Sequence, residues 1–228
     1  MDYNFKKEFI NFLIQSGVLT FGEFITKSKR KTPYFINTGN FKTAKQISIL
    51  GKFYADFLIQ TNTSFDVLFG PAYKGIPLVL SCCNFLYLNY NIDKPFFFNR
   101  KEKKDHGEKG SFVGYSPKKG DVVAIVEDVL TAGTAIKEVL PMIKNSFDVT
   151  IKDMFILVDR CEVASNSVES ARKILEKDFD IKINSLVNIK DILEFLEGNE
   201  KFGQYRINIK DYIRQYCIFW NKIQTLNT

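Results

Sequence analysis

The chain has a single histidine, His106, and four cysteines, Cys82, Cys83, Cys161 and Cys217, none of them in a C-x-x-C pair. One histidine excludes a multi-histidine zinc site, and the adjacent Cys82 and Cys83 lack the spacing of a metal-binding pair. Buried free thiols in a reducing compartment are expected instead. No stretch reaches the ~18 apolar residues of a membrane span. The opening MDYNFKKEF carries charges where a signal peptide would be apolar, so a soluble cytoplasmic protein is expected. The P-loop pattern GxxxxGK and the dinucleotide pattern GxGxxG are both missing. There is no internal repeat, low-complexity segment or linker.

What is present is an ordinary globular balance, 45% hydrophobic and 25% charged over 228 residues, enough to bury a core without staples. Lys and Arg exceed Asp and Glu by 32 to 26, and the net charge of +6 suits an anionic partner or simply aids solubility.

Phe5, Phe9, Phe12 and Leu13 recur at helical spacing, which predicts a helix over 4–16. Residues 18–44 are mixed, with turn signals at Gly22, Pro33 and Gly39 and room for short strands. Helical spacing returns over 45–60 through Ile47, Leu50, Tyr54 and Phe57. An alternation then follows: strand 67–69, helix 75–90, strand 95–98, strand 122–126, helix 133–144, strand 154–158, helix 168–177, strand 181–187, helix 189–196. Strands alternating with helices predict an α/β fold with a mostly parallel central sheet flanked by helices. One domain is the economical reading, with an N-terminal hood over about 1–65, a core over about 66–198 and a helical tail over about 199–228. In such sheets ligands bind at the carboxyl ends of the strands, so chemistry is sought after Phe69, Phe98, Val126 and Val158.

The loop after Val126 holds two adjacent acids, Glu127 and Asp128, and then Thr131, Ala132, Gly133 and Thr134 at the start of a helix. Backbone N–H groups at a helix N-terminus bind phosphate, and threonine hydroxyls add donors. Two acids repel phosphate but accept hydrogen bonds from hydroxyls beside it, so a phosphorylated sugar fits the pair. The same residues would also serve as an ordinary helix cap with acids at the positive end of the dipole. The run from Arg100 to Gly110 carries five Lys or Arg, three Asp or Glu, His106 and two glycines. It reads either as a solvated loop or as a mobile cationic loop that closes over a pyrophosphate leaving group.

VVAIVEDVLTAGT at 122–134 resembles the phosphoribosylpyrophosphate-binding motif of the phosphoribosyltransferases, matching at the apolar strand, both acids and the TAGT turn. FNRKEKKDHGEKG at 98–110 is similar to the catalytic loop of orotate phosphoribosyltransferases of the bacterial type, and GPAYKGIP at 70–77 to that family's pyrophosphate loop. PYFIN at 33–37 and GEFITK at 22–27 resemble its N-terminal base-binding segments.

The resemblance implies the type I phosphoribosyltransferase fold and the transfer of ribose 5-phosphate from 5-phosphoribosyl-1-pyrophosphate to N1 of orotate, as in pyrimidine biosynthesis. It implies that Lys101 acts at a partner subunit's site in a homodimer, with Arg100, Lys104 and His106 also contacting phosphoribosylpyrophosphate. Tyr73 and Lys74 would hold the pyrophosphate, Glu127 and Asp128 the ribose hydroxyls, and the stretch Val129, Leu130, Thr131, Ala132, Gly133, Thr134 and Ala135 the 5-phosphate. Lys101, Lys104, His106 and Asp128 are the implied catalytic residues. Orotate would lie against Phe35 and Ile36 and touch Thr131, with Arg160 binding its carboxylate and Lys27 reaching over from the hood. Mg²⁺ would be held mainly through substrate and water, with no protein cage. Neither nucleic acid nor a membrane is implied as a partner.

Glu127 stands where aspartate is common in the family, and Ile36 where an aromatic is common. The likeness fades after Asn199, and no role is carried to the tail. A purine phosphoribosyltransferase would share the 122–134 motif but not the KDHGEKG loop. A regulator that binds RNA on the same fold would have little use for the full set of pyrophosphate cations.

Overall fold

Val123 and Ile125 bury on one face of a strand and Ala124 and Val126 on the other, and this two-sided burial organises the whole molecule. The computed structural model describes residues 2–26, 29–102, 110–130, 133–164, 167–197, 199 and 202–217. After helix α1 (Tyr3–Gln15), strands β1 (Leu19–Ile25) and β2 (Lys31–Ile36) pair antiparallel, and helix α2 (Ala44–Thr61) follows. The central part runs β3 (Val67–Phe69), α3 (Gly75–Tyr90), β4 (Phe96–Asn99), β5 (Phe112–Gly114), β6 (Val122–Leu130), α4 (Thr134–Ser146), β7 (Thr150–Asp159), α5 (Ala171–Phe179), β8 (Lys182–Asn188) and α6 (Ile189–Glu197). Helix α7 (Gly203–Tyr216) comes last.

The main sheet has six strands in the order β5-β4-β3-β6-β7-β8. Every neighbouring pair is parallel except β4 with β5. The alternation along each strand sorts the core into two clusters. Val67, Phe69, Val123, Ile125, Met154 and Ile156 face Ile136, Leu140 and Ile143 of α4 and Leu175 of α5. Leu68, Ala124, Val126, Phe155 and Leu157 share the other cluster with α1, α2, α3, α6 and α7. The C-terminal helix therefore packs into the same cluster as the N-terminal helices, through Ile209, Tyr212 and Ile213. All four cysteines are buried free thiols, as expected.

The α/β alternation stands as read, with differences at the ends. The short strand β5 was not foreseen, because three residues in a polar stretch carry little periodic signal. β7 begins four residues earlier than expected, at Thr150, where Asp153 and Lys152 mask the apolar pattern. Helix α5 starts at Ala171 rather than near 168, because the Ser170 side chain caps Lys173 N–H at 3.0 Å.

Helix α2 is capped at its start and packed closely on α3 further along. Thr43 and Gln46 form a reciprocal capping box at its start. Further along, Gly51 lies so close to α3 that a Cβ there would sit 2.6 Å from the Ser81 carbonyl oxygen. Alanine in an open helix interior would gain ~1 kcal/mol over glycine. Here the overlap with backbone should reverse the sign, so Gly51→Ala should destabilise by roughly 1–3 kcal/mol. Thermal unfolding checks this, and a raised Tm would mean that the two helices do not approach so closely.

Candidate active site

Strand β6 does not stop at Val126. It stays paired to β7 through Leu130, with Glu127 opposite Ile156, Val129 opposite Val158 and Leu130 opposite Asp159. The two acids expected in a loop are strand residues, because the backbone ladder continues even where the side chains turn polar. Leu130 buries its side chain in the core. Gly133 then takes a left-handed conformation, φ 72°, as the residue before α4, and Thr134 and Ala135 open the helix. Thr131 and Ala132 lie outside the described residues, as do Lys27, Lys104 and His106.

Asp128 is held from two directions. Its Oδ2 accepts from the Thr38 hydroxyl at 2.5 Å and from Lys74 Nζ at 3.1 Å, and its Oδ1 accepts from the Val129 N–H at 2.7 Å. Glu127 Oε1 accepts from the Asp128 N–H at 2.9 Å. The Glu127 carbonyl accepts from the Tyr54 hydroxyl of α2 at 2.5 Å. Burial pushes the Glu127 carboxyl well above the usual carboxylate range, and the neighbouring Asp128 charge pushes it further. Lys74 opposes the rise only in part.

The Gly70–Gly75 loop between β3 and α3 is wound tightly. A Cβ on Gly70 would lie 2.3 Å from the Gly75 carbonyl oxygen, so neither glycine tolerates a side chain. Asn99 at the end of β4 braces the loop by accepting from the Ala72 N–H at 2.8 Å. The turn lifts Tyr73 and Lys74 into solvent, Tyr73 at 62% exposure. Lys101 Nζ lies 5.4 Å above the Tyr73 ring. Arg100 is the next residue after β4, and its Nε is buried with no hydrogen-bond partner among the described residues. A buried guanidinium N–H without an acceptor suits an anionic ligand.

Arg160 leaves the sheet one residue beyond Asp159, the residue aligned with Leu130. Cys161 takes φ 55°, and its N–H donates to Asp159 Oδ1 at 2.7 Å, so the chain turns sharply there. Arg160 is only 6% exposed. Its Nε donates to Glu162 Oε1 at 2.5 Å, and Nη2 donates to Thr32 Oγ1 at 3.3 Å and to Tyr212 Oη at 3.1 Å. Its guanidinium also stacks 4.4 Å from the Tyr34 ring. Among the described residues that leaves Nη1 without a partner. On β2, Phe35 is 39% exposed and stacked on Phe24 at 5.4 Å, while Ile36 is half-buried and packed on the core.

Four expected positions, Lys74, Arg100, Asp128 and Arg160, thus stand at the carboxyl ends of β3, β4, β6 and β7, which are neighbours in the sheet. The opposed signs of charge suit a ligand with both hydroxyls and anionic groups. A cleft of about 730 Å³ lined by Arg30, Val163 and Tyr216 contains neither acid, and the chemistry does not follow it. Thr38, Tyr54, Glu162 and Tyr212 were missed from the sequence. Thr38 sits one residue beyond the PYFIN segment, Tyr54 reads as a core position of a helix, and Glu162 and Tyr212 carry no motif. Among the described residues, no helix is long and apolar enough to cross a membrane.

The phosphoribosyl transferase domain, as a family model, matches residues 37–184. The orotate phosphoribosyltransferase of Clostridium beijerinckii is 45% identical over 219 residues, 93% of this chain and 97% of its own length. That of Shigella dysenteriae is 40% identical over 214 residues, 94% of this chain and 99% of its own. The crystal structure of the orotate phosphoribosyltransferase of Francisella tularensis superposes with a TM-score of 0.81 at 39% identity, covering 92% of this chain and 99% of that one. The chain belongs to the phosphoribosyltransferase family and, within it, to the orotate phosphoribosyltransferases.

Proposed function

We propose that this chain transfers the ribose 5-phosphate of 5-phosphoribosyl-1-pyrophosphate to N1 of orotate, releasing pyrophosphate and forming orotidine 5′-monophosphate. The observation that carries this reading is the acid pair at the end of β6, flanked by Lys74 from the β3 loop and Arg160 from the end of β7. Glu127 and Asp128 accept hydrogen bonds from the ribose hydroxyls. The backbone from Val129 through Thr131, Ala132 and Gly133 to Thr134 and Ala135 receives the 5-phosphate at the start of α4. Tyr73, Lys74, Arg100 and Lys101 hold the pyrophosphate, with Lys27, Lys104 and His106 adding to that charge.

In the free protein Lys74 neutralises Asp128. Lys74 is more than half exposed, so the pair is weak and easily exchanged. Lys74 then turns to pyrophosphate while Asp128 turns to the sugar. The bond from the anomeric carbon to the pyrophosphate oxygen breaks, its electron pair leaving with pyrophosphate. N1 of orotate, giving up its proton to solvent, bonds to the opposite face, which inverts that carbon. Charge develops on oxygen as the bond breaks, so preorganised cations and positioning carry most of the rate. Orotate lies against Phe35, Ile36 and Thr131, and its carboxylate meets Arg160.

Mg²⁺, when bound, supplies charge neutralisation to the leaving group. Among the described residues no three His, Cys, Asp or Glu side chains form a cluster. The hard carboxylate oxygens of Glu127 and Asp128 fit an ion brought in on the phosphates with its water shell. The active unit in this reading is a homodimer, with Lys101 serving the partner's site. The exposed Leu80, Tyr87 and Leu88 of α3 offer apolar surface for such contact. A cytoplasmic location accords with this chemistry, and neither nucleic acid nor a membrane enters it.

The direct test is incubation with orotate, phosphoribosylpyrophosphate and Mg²⁺. Orotidine monophosphate should form, and uracil and hypoxanthine controls should give little product. Preference for hypoxanthine would overturn the base assignment.

The acid pair also has a pH signature. The folded-state pKa of Glu127 is raised, so its neutral form is favoured in the fold and stability is lost as pH rises through that raised value. Glu127→Gln mimics the neutral form. Its Tm should match wild type near pH 4, about where a free glutamate titrates, and exceed it increasingly towards alkaline pH. A difference independent of pH would mean that Glu127 is not desolvated as described.

Composite sites are tested by subunit mixing. Asp128→Asn should lose about tenfold or more in kcat/KM through a charged hydrogen bond worth roughly 1.5–3 kcal/mol. Lys101→Ala should fold normally yet lose roughly 10²–10³-fold in kcat. Mixed dimers of the two variants rebuild one intact site and should recover towards half of wild-type activity. No recovery despite proven exchange would place Lys101 in its own subunit's site.

A further inference from the structure

Arginine carries five N–H donors in a rigid plane, and three of those of Arg160 are committed. Nε donates to Glu162 Oε1, and the two hydrogens of Nη2 go to Thr32 Oγ1 and Tyr212 Oη. Both hydrogens left over are on Nη1. The direction of every bond around Nη2 is set. Thr32 donates its own hydrogen to the Tyr34 carbonyl at 3.0 Å, so it can only accept from Arg160. Tyr212 donates to Glu162 Oε1 at 2.6 Å, so its oxygen likewise accepts from Nη2.

Tyr212 thus closes a three-membered ring of hydrogen bonds with Arg160 and Glu162. It reaches that place from α7, fifty-two residues further along the chain. Its ring is 4% exposed, edge-on to Tyr34 at 5.7 Å and packed on Tyr216 at 5.0 Å, so the hydroxyl has little freedom to move. The other oxygen of Glu162 is held by Arg30 at 3.3 Å, and Arg30 lies 5.1 Å over the Tyr216 ring. Two cations therefore share one carboxylate, and Tyr212 supplies the neutral acceptor that this carboxylate cannot provide to Nη2.

We infer that Tyr212 is a positioning residue for base recognition: it fixes the guanidinium plane of Arg160 so that Nη1 is the edge presented to the carboxylate of the base. This rests on the reading of Arg160 as the carboxylate-binding residue. It gives the C-terminal helix a part in specificity that no sequence motif marks. A phenylalanine at 212 would keep the aromatic packing and remove only the hydroxyl. Nη2 would then lose one of two acceptors, and the plane could rotate.

Steady-state kinetics of Tyr212→Phe, Arg160→Ala and the double variant, varying each substrate in turn, test this. For Tyr212→Phe the KM for orotate should rise about fivefold, the scale of one hydrogen bond, with the KM for phosphoribosylpyrophosphate within about twofold of wild type. Arg160→Ala should raise the orotate KM more, and adding Tyr212→Phe to it should change nothing further, because the two act through one group. A Tyr212→Phe enzyme with a lowered Tm but an unchanged orotate KM would mark a structural tyrosine and overturn the inference. So would a further orotate-specific rise in the double variant. If Arg160→Ala itself raised both KM values equally, the assignment of Arg160 to the base would fail, and the inference with it.

Discussion

Glu127 and Asp128 stand side by side at the end of a strand whose preceding residues see no water, and like charges so placed are costly to keep ionised. The surroundings answer that cost with groups from separate parts of the chain. Thr38 comes from the short turn after β2, Lys74 from the β3 loop and backbone N–H groups from β6 itself, while Tyr54 of α2 anchors the strand by donating to the Glu127 main-chain carbonyl. The acids can exist only where these elements meet. In that sense the pair ties the N-terminal segment, the glycine loop and the main sheet to one place. The compensation from Lys74 is exposed and weak, which suits the proposed release of the acids to a sugar.

Arg160 is the complementary case, a cation taken out of water. A buried ion pair is tolerated only when its remaining hydrogen-bonding capacity is satisfied. Here Glu162, Thr32 and Tyr212 account for Nε and Nη2, and the aromatic face of Tyr34 covers one side. The groups that do so come from β2, the turn after β7 and α7. The acids thus lie between cations, Arg100 and Lys74 on one side and Arg160 on the other, and the acid pair and Arg160 are each stabilised by side chains distant in sequence. That division matches the proposed reaction, in which hydroxyls meet acids while phosphate oxygens and a carboxylate meet cations.

Much of the fold was legible because its signals are local. Two-sided apolar runs such as 122–126 announce buried parallel strands, and helical spacing announces α1 and α2. The motifs at 70–77, 98–110 and 122–134 could be picked out because each is a run of contiguous residues. What was misread followed from the same locality. Polar side chains at Glu127 and Asp128 look like a strand end and predict a loop, whereas hydrogen bonding to β7 carries β6 on to Leu130.

Most of the order of secondary-structure elements, the two-faced core strands and the candidate residues that sit in contiguous motifs were determined by the sequence alone, because each depends on neighbours within a few positions. Only the tertiary structure decided what holds those residues in place. Thr38 on Asp128, Tyr54 on the Glu127 carbonyl, and Tyr212 with Glu162 on Arg160 are contacts between segments far apart in the chain. A hydroxyl that will orient a charge has no periodicity or motif of its own. It gains that role from the geometry that brings it within hydrogen-bonding distance.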